Sequence, residues 1–282
     1  MKHAQSKVIG IFGYPVQHSK SPIMHNYVFD KLEMNYHYIP FHATPDKLQA
    51  SIEGFKALGF HGANVTLPYK SKVMPFLDEV SELASLTESV NTLYWKDGKL
   101  RGTTTDGYGA LRNLKAHDVD IDGKHVAILG NGGSARALAF QLAKDGKDVK
   151  ITIVSRKRGR GMMLSDQINN YKANISTSTI FEEFSKIKED IDLIINTTPI
   201  GLFPEVDAMP VEADDLLEKH IVYDIVYNPL QTKLLQTAAS KGCKTVTGIG
   251  MLIYQGMKSF EYWTDQEAPE DLYFEGMKDL TE

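Results

Sequence analysis

The chain has 282 residues, of which 42% are hydrophobic and 24% charged, and its formal net charge is -5. This composition is that of an ordinary globular protein, and the length is sufficient for two domains. The mild negative charge excludes a global attraction to nucleic acid or to an anionic membrane, so any bound anion needs a local site.

Signals for membrane insertion or an oxidising compartment are not recognisable. The first apolar run is short and is broken by Gly and Pro, which argues against a signal peptide. No run approaches the roughly 20 apolar residues that span a bilayer. The single Cys243 excludes an internal disulfide and a cysteine-cluster metal site. We therefore expect a cytoplasmic protein that binds neither membrane nor nucleic acid.

Short apolar strands alternate with amphipathic helices over nearly the whole chain, a pattern typical of an α/β protein with parallel sheets. The first strand is "KVIGIFG" (7–13). It is followed by "SPIMHNYVFDKL" (21–32), predicted as a helix with Ser21 as its N-cap and Pro22 in the first position. Ser19 and Ser21 could also bind a small carboxylate there, together with the free N–H groups of the helix.

The segment "GANVTLPYK" (62–70) combines a strand with polar residues at its carboxyl end. Asn64 and Thr66 point to the same side of that strand, at the end where ligands bind in open parallel sheets. Pro68 predicts a helix start. Lys70 would then lie at the positive end of the helix dipole, where a cation is mildly unfavourable. This position indicates a functional role for Lys70, with an ordinary surface lysine as the alternative.

A predicted hairpin follows, with a polar residue near each of its ends. Asn91 opens "NTLYWKDGKLRG" (91–102), in which Asp97-Gly98 is the expected two-residue turn. Asp106 comes after the hairpin, at the N-terminus of the next predicted helix, where it could simply be a cap. Taken singly, these residues are explained as well by structure as by function.

A second α/β region begins after residue 105. There "GNGGSA" (130–135) fits the pattern G-x-G-x-x-G/A between a predicted strand, 125–129, and a helix that opens at Ser134. The glycines allow the backbone to approach a pyrophosphate, and the helix N-terminus supplies N–H donors. This context favours dinucleotide binding over a structural turn.

The end of the next strand indicates which dinucleotide is bound. An NAD site usually carries an acid there, about 20 residues after the glycines, that binds the ribose 2'-hydroxyl. The sequence instead reads "VSRKRGRG" (154–161), with four cations: Arg156, Lys157, Arg158 and Arg160. Such a cluster attracts a 2'-phosphate through charge-assisted hydrogen bonds. NADP is therefore favoured over NAD, and a solvated basic turn is the alternative.

Eight motifs occur in an order that resembles the shikimate/quinate dehydrogenase family, from about residue 8 to residue 260. They are "GYPVQHSKSPIMHN", "GANVTLPYK", "VNTL", "TTDGYG", "GNGGSAR", "INTTPIG", "YDIVYNP" and "GIGMLIYQG". We predict a domain boundary near residue 105 and a return near residue 245, which the resemblance supports. The expected organisation is a substrate (catalytic) domain of residues 1–105 and 245–282 and a Rossmann-type NADP-binding domain of residues 106–244.

The resemblance implies an oxidoreductase that reversibly reduces 3-dehydroshikimate to shikimate with NADPH, in aromatic amino-acid biosynthesis. Lys70 and Asp106 match the family's catalytic pair, and no metal is expected because the lysine can polarise the ketone. The implied substrate contacts are Ser19, Ser21, Asn64, Thr66, Lys70, Asn91, Asp106, Tyr227 and Gln255. The implied cofactor contacts are Gly130, Asn131, Gly132, Gly133, Ser134, Ser155, Arg156, Lys157, Arg160, Ile225 and Gly248. In this family the 2'-phosphate clamp often reads Asn-Arg-Thr, a pattern from which Ser155 and Lys157 depart.

Three alternatives remain. A quinate/shikimate dehydrogenase that also uses NAD would differ in cofactor preference. A non-catalytic NADP-binding regulator on the same scaffold would be marked by loss of Lys70 or Asp106, and both are present. A methyltransferase that binds an adenosyl cofactor at the glycine loop would have an acid, which binds the ribose hydroxyls, in place of the basic run. The expected partner is the small-molecule substrate, shikimate or 3-dehydroshikimate, and a homodimer is left open.

Overall fold

The computed structural model describes residues 6–281. The chain divides into two compact units, one formed by Gly107–Leu252 and the other by the segments before and after it. Each unit contains one six-stranded sheet. Within residues 6–281, the helices are all too short or too polar to cross a lipid bilayer.

The sheet of the first unit is mixed, in the order β2-β1-β3-β5-β6-β4. Strand β1 is parallel to β2 and β3, whereas β5 is antiparallel to both of its neighbours, and β4 is parallel to β6. The antiparallel pair β5–β6 is joined by a two-residue turn, whereas the chain passes through helices between the parallel strands β1, β2 and β3. The strands are β1 (Lys7–Gly13), β2 (Tyr36–His42), β3 (Gly62–Val65), β4 (Glu79–Val80), β5 (Thr92–Lys96) and β6 (Lys99–Thr103).

The hairpin between β5 and β6 confirms the predicted turn. Asp97 and Gly98 both have positive φ, 54° and 74°, as a two-residue turn of type I′ requires. Asn91 lies just before β5, and the antiparallel register brings Thr92 opposite Thr103. The hairpin therefore returns the chain from β5 to the start of the next helix, at Asp106.

The core of the first unit lies between its sheet and its helices. Helix α2 buries Leu48, Ile52 and Phe55 at helical spacing, and these residues pack against Phe12 of β1 and Leu93 of β5. The helices that lie wholly within this unit are α1 (Ser21–Lys31), α2 (Leu48–Ala57), α3 (Glu82–Thr87), α9 (Glu270–Glu275) and α10 (Lys278–Thr281), with 3-10 turns at Pro45–Lys47 and Met74–Phe76.

The sheet of the second unit is entirely parallel, in the order β12-β11-β10-β7-β8-β9. The chain starts in the middle at β7 and winds outwards in both directions, so a switch point lies between β7 and β10, where ligands bind in such sheets. The predicted α/β class is confirmed. The strands are β7 (His125–Leu129), β8 (Lys150–Ser155), β9 (Ser176–Ile180), β10 (Leu193–Asn196), β11 (Ile221–Asp224) and β12 (Lys244–Val246).

Helices and 3-10 turns connect the strands of this second sheet. The helices are α4 (Asp106–Ala116), α5 (Gly133–Asp145), α6 (Arg158–Tyr171) and α7 (Lys233–Ser240), and the 3-10 turns are Phe181–Lys186, Lys188–Asp190 and Ala213–Asp215. The division between units then falls after Leu252, inside α8 (Ile249–Thr264), and not at residue 245. The reason is local, because β12 pairs with β11 and Gly250 packs against Asn113 of α4.

Candidate active site

Lys70 and Asp106 form a close ion pair in the first unit. The distance from Lys70 Nζ to Asp106 Oδ2 is 2.6 Å, and the side chains are 24% and 7% exposed. The backbone of Lys70 is fixed because its carbonyl accepts a hydrogen bond from Val90 N at 2.8 Å. Asp106 is the first residue of α4. An ammonium group is thus held in a half-buried site beside a buried carboxylate.

The predicted helix at Lys70 is wrong. The chain after β3 forms consecutive turns, and the next regular element is the 3-10 turn Met74–Phe76. Tyr69 and Val73 are anchored in the core, and the Tyr69 hydroxyl donates to the carbonyl of Ala43. This packing holds the segment in turns. Lys70 therefore does not lie at the start of a helix of its own, and the Asp106 carboxylate is its electrostatic partner.

Asn91 holds the second oxygen of Asp106. Its Nδ2, which carries two hydrogens, lies within hydrogen-bonding distance of three acceptors: Asp106 Oδ1 at 2.8 Å, Thr105 Oγ1 at 2.9 Å and Gln255 Oε1 at 3.1 Å. Its Oδ1 accepts from Thr105 N at 2.9 Å. Both carboxylate oxygens of Asp106 are thereby occupied, which fixes the direction in which Lys70 is presented.

Asn64 belongs to the same buried network. Its Nδ2 donates to the carbonyl of Asn91 at 3.0 Å and to Ser259 Oγ at 3.1 Å, and its Oδ1 accepts from the Tyr38 hydroxyl at 2.7 Å. Thr66 follows β3 directly and is half-buried. The structure thus brings together five of the predicted substrate contacts: Asn64, Lys70, Asn91, Asp106 and Gln255.

Sequence reasoning missed four polar residues of this network: Tyr38, Thr92, Thr105 and Ser259. A signal existed for Ser259, because it lies four residues after Gln255 and therefore on the same helix face. Thr105 directly precedes Asp106 in "TTTDG". Tyr38 offered no signal, since an aromatic residue in a strand is usually a packing residue.

Ser21 is not the N-cap of α1, as the sequence predicted. The helix begins at Ser21 itself, Lys20 occupies the cap position without a side-chain hydrogen bond, and Pro22 is the second helical residue. Ser19 Oγ instead accepts from Ser21 N at 3.3 Å. Ser21 is buried beside the Tyr38 phenol. The two serines thus lie close together at the start of α1.

The glycine loop of the second unit adjoins a cavity of about 340 Å³ at the carboxyl ends of β7, β8 and β10. Gly130 has a φ of +113°, and a Cβ atom on it would lie 2.7 Å from Thr197 Oγ1, so this position needs glycine. The helix after the loop, α5, begins at Gly133. The cavity is lined by Gly130, Asn131, Gly132, Arg156, Arg160, Phe181, Thr197, Thr198, Pro199 and Ile200.

The basic run after β8 divides into residues that line this cavity and residues with other contacts. Arg156 and Arg160 line it. The Ser155 hydroxyl is buried and donates to the carbonyl of Lys157 at 3.0 Å. Arg158 forms an ion pair with Glu183 at 2.7 Å. Two guanidinium groups, a glycine loop and an absence of carboxylates among the described lining residues suit a phosphorylated dinucleotide.

Two predicted cofactor contacts, Ile225 and Gly248, lie after β11. Gly248 packs on the backbone of this segment, since a Cβ atom on it would lie 2.4 Å from the carbonyl oxygen of Ile225. Ile225 is half-buried, and Tyr227 is exposed. Three other predicted cofactor contacts are close in sequence to residues that line the cavity but do not line it themselves: Gly133, Ser134 and Lys157.

Comparison with known proteins places the chain in a family. A family model described as shikimate dehydrogenase substrate binding domain matches residues 11–93, and one described as shikimate 5'-dehydrogenase C-terminal domain matches residues 248–272. The chain is 42% identical over 269 residues to shikimate dehydrogenase (NADP(+)) from Methanocaldococcus jannaschii, which covers 95% of this chain and 94% of that protein.

Solved structures agree. A crystal structure of shikimate dehydrogenase in complex with NADP+ is 40% identical, with a TM-score of 0.92 and coverage of 99% of this chain and 97% of that one. Shikimate 5-dehydrogenase from Listeria monocytogenes, in complex with shikimate and NAD, is 36% identical, with a TM-score of 0.91 and coverage of 97% of this chain and 96% of that one. The resemblance read from the motifs is confirmed, and the chain belongs to the NADP-dependent shikimate dehydrogenase family.

Proposed function

We propose that this chain is an NADP-dependent shikimate dehydrogenase, an oxidoreductase that reversibly reduces 3-dehydroshikimate to shikimate in the shikimate pathway. The observation that carries the proposal is the ion pair between Lys70 Nζ and Asp106 Oδ2, at 2.6 Å. Reduction of a ketone places negative charge on its oxygen, which a nearby cation or proton donor stabilises. NADPH supplies the hydride when it is bound.

The residues of the first unit supply binding and proton transfer. We assign to Lys70 the donation of a proton to the ketone oxygen, and its removal in the oxidative direction. Asp106 orients the ammonium group, and Asn91 orients Asp106. Ser19 and Ser21 are assigned to the substrate carboxylate. The other proposed substrate contacts are Asn64, Thr66, Asn91, Tyr227 and Gln255.

The residues of the second unit are assigned to the cofactor. Residues 130–134 would hold the pyrophosphate, with backbone N–H groups at the start of α5 as donors. Arg156 and Arg160 would bind the 2'-phosphate, because both line the cavity beside the glycine loop. Ser155 is a weaker candidate, since its hydroxyl already donates to Lys157. Ile225 and Gly248 remain candidates for the nicotinamide end.

A quinate/shikimate dehydrogenase that also uses NAD is the second candidate. It is favoured by the Listeria monocytogenes relative, whose solved complex contains shikimate and NAD. One experiment separates the two functions: the protein is mixed with shikimate or quinate and with NADP or NAD, and the absorbance of the reduced nicotinamide is followed. We expect turnover to be fastest with shikimate and NADP. Equal kcat/KM with NAD would favour the second candidate, and no turnover in any mixture would refute both.

The wider organisation follows from the same proposal. We assign the NADP role to the unit Gly107–Leu252 and the substrate role to the unit formed by the segments before and after it. A cytoplasmic location suits a biosynthetic enzyme that uses NADPH, and cell fractionation tests it. A homodimer is the oligomeric state proposed, and light scattering of the purified protein tests it.

A further inference from the structure

Asp224, the last residue of β11, is a completely buried carboxylate to which the proposed reaction assigns no role. It accepts hydrogen bonds from three groups: Asn196 Nδ2 at 2.9 Å, Val226 N at 3.0 Å and Thr232 Oγ1 at 2.7 Å. None of these partners is a cation. Desolvation outweighs their effect and raises the pKa of Asp224 to about 6. A buried carboxylate without a countercharge is costly, so its presence points to a role other than stability.

The first of these partners leads to the glycine-loop cavity. Asn196 ends β10, next to Asp224 in the sheet register. Its Oδ1 accepts from Thr198 N at 3.0 Å and from Thr198 Oγ1 at 2.7 Å, and its Nδ2 also donates to the carbonyl of Ile200 at 3.3 Å. Thr198 and Ile200 line the cavity. Asn196 therefore stabilises one wall of the cavity, and Asp224 holds the Asn196 side chain in place through a hydrogen bond.

The other two partners hold the segment after β11. Val226 N and Thr232 Oγ1 both donate to Asp224, and Thr232 is also the N-cap of α7. Ile225 lies between Asp224 and Val226, and a Cβ atom on Gly248 would lie 2.8 Å from the Asp224 carbonyl oxygen. Asp224 thus fixes the segment that carries the candidate nicotinamide contacts.

We propose that Asp224 is a positioning residue for NADP, which holds the turn 196–200 and the segment 225–232 in one arrangement before the cofactor binds. This inference rests on the proposed function, because it takes NADP as the occupant. The chemistry requires an acceptor, since all three neighbours donate. An alanine at this position would leave three buried donors without a partner, whereas an asparagine would keep its Oδ1 as acceptor for Asn196 and Val226.

The test compares Asp224→Ala and Asp224→Asn with Asp215→Ala, a matched control. Asp215 is another buried carboxylate of this unit, but it bonds to Ser185 and Lys188, which do not line the cavity. The Kd of NADP is measured by calorimetry, and the KM of shikimate is measured at saturating NADP. Asp224→Ala is expected to raise the Kd of NADP by roughly 10–100-fold, because misplaced binding groups lose affinity and rate steeply.

The conservative variant and the control should behave differently from Asp224→Ala. Asp224→Asn is expected to raise the Kd of NADP by less than about 5-fold, because one acceptor atom remains. Asp215→Ala is expected to leave the Kd of NADP unchanged within about 2-fold. In Asp224→Ala the KM of shikimate should rise by a smaller factor than the Kd of NADP, because Tyr227 is the one proposed substrate contact in the segment 225–232. A general loss of stability would not produce this ranking.

Two results would overturn the inference: a folded Asp224→Ala variant with the wild-type Kd of NADP, or an Asp215→Ala variant that is weakened equally. If Asp224→Ala does not fold, Thr232→Val decides, because it keeps the carboxylate and removes one of its donors. It also removes the N-cap of α7, a helix that does not line the cavity. An unchanged Kd of NADP in Thr232→Val would then overturn it, and a rise of about 3-fold or more would support it. Wild-type protein that does not bind NADP would refute the proposed function itself.

Discussion

Lys70 owes its position to three neighbours that are distant in sequence. Val90 fixes its backbone, Asp106 holds its ammonium group, and Asn91 fixes Asp106. At the scale of single residues, this arrangement presents one proton donor in a defined direction. A preoriented donor contributes more to a transition state than to substrate binding.

Replacing Lys70 should therefore affect kcat more than KM. Lys70→Ala is expected to lower kcat for shikimate oxidation by roughly 10²–10⁴-fold, the usual contribution of general acid-base catalysis, with a smaller change in KM. Steady-state kinetics measures both constants. Lys72→Ala is the control, because this neighbouring lysine is exposed. Wild-type kcat in Lys70→Ala would remove Lys70 from the chemistry.

The Tyr38 hydroxyl makes a different, structural contribution. It donates to Asn64 Oδ1 at 2.7 Å in a buried site. Tyr38→Phe leaves that acceptor unpaired and should lower the free energy of unfolding by about 1–3 kcal/mol in urea denaturation. Tyr36→Phe, on the same strand, loses a more exposed contact with Lys7 and should cost about 0.5 kcal/mol or less. Equal losses would contradict the buried hydrogen bond.

At the scale of elements, the glycine loop and the basic run meet because β7 and β8 are parallel neighbours. Their carboxyl ends lie at one edge of the sheet, so the turn after β8 approaches the loop after β7. Helix α6 begins at Arg158, which places Arg156 before the helix and Arg160 within its first turn. Cofactor preference is therefore a property of this strand–turn–helix element.

Removing the two guanidinium groups should reduce the preference for NADP. Arg156→Ala combined with Arg160→Ala is expected to raise the KM of NADP by at least about 10-fold, because a charge-assisted hydrogen bond is worth about 1.5–3 kcal/mol. The KM of NAD should change little. Arg158→Ala is the control, since Arg158 is paired with Glu183. An unchanged ratio of the two KM values in the double variant would contradict the assignment.

At the scale of the whole molecule, one histidine should make stability depend on pH. His25 is completely buried among aromatic rings, including Tyr38 and Trp263, and burial lowers its pKa from 6.5 to about 3. The unfolded chain binds a proton below pH 6.5, whereas the folded chain does not until about pH 3. The free energy of unfolding therefore falls as the pH falls through this window.

The size of this effect can be measured by urea denaturation at pH 7 and pH 5. The His25 contribution should lower the free energy of unfolding by about 2 kcal/mol between them, from about 1.4 kcal/mol per pH unit. Asp224 acts in the opposite direction, because its raised pKa favours the folded state as the pH falls below about 6. The difference between wild type and His25→Phe isolates the histidine. If the two proteins differ in free energy of unfolding by the same amount at pH 7 and pH 5, the lowered pKa of His25 is contradicted.

Local features of this protein could be predicted from sequence alone. The alternation of strands and helices follows from hydrophobic periodicity. The turn at 97–98 follows from the Asp-Gly pair, which readily adopts the positive φ angles that such a turn needs. The glycine loop after β7 and the missing acid after β8 follow from residue type and order. Each of these depends on a few consecutive residues, so no knowledge of the rest of the chain is needed.

Only the tertiary structure decided how the polar groups pair. It holds Lys70 in a turn rather than a helix, makes Ser21 a helical residue rather than a cap, and turns the Ser155 hydroxyl towards Lys157. It also joins Asn64 to Tyr38 and Ser259, which are far apart in sequence. The physical reason is that buried hydrogen bonds depend on strand order and packing, and these emerge from contacts across the whole unit.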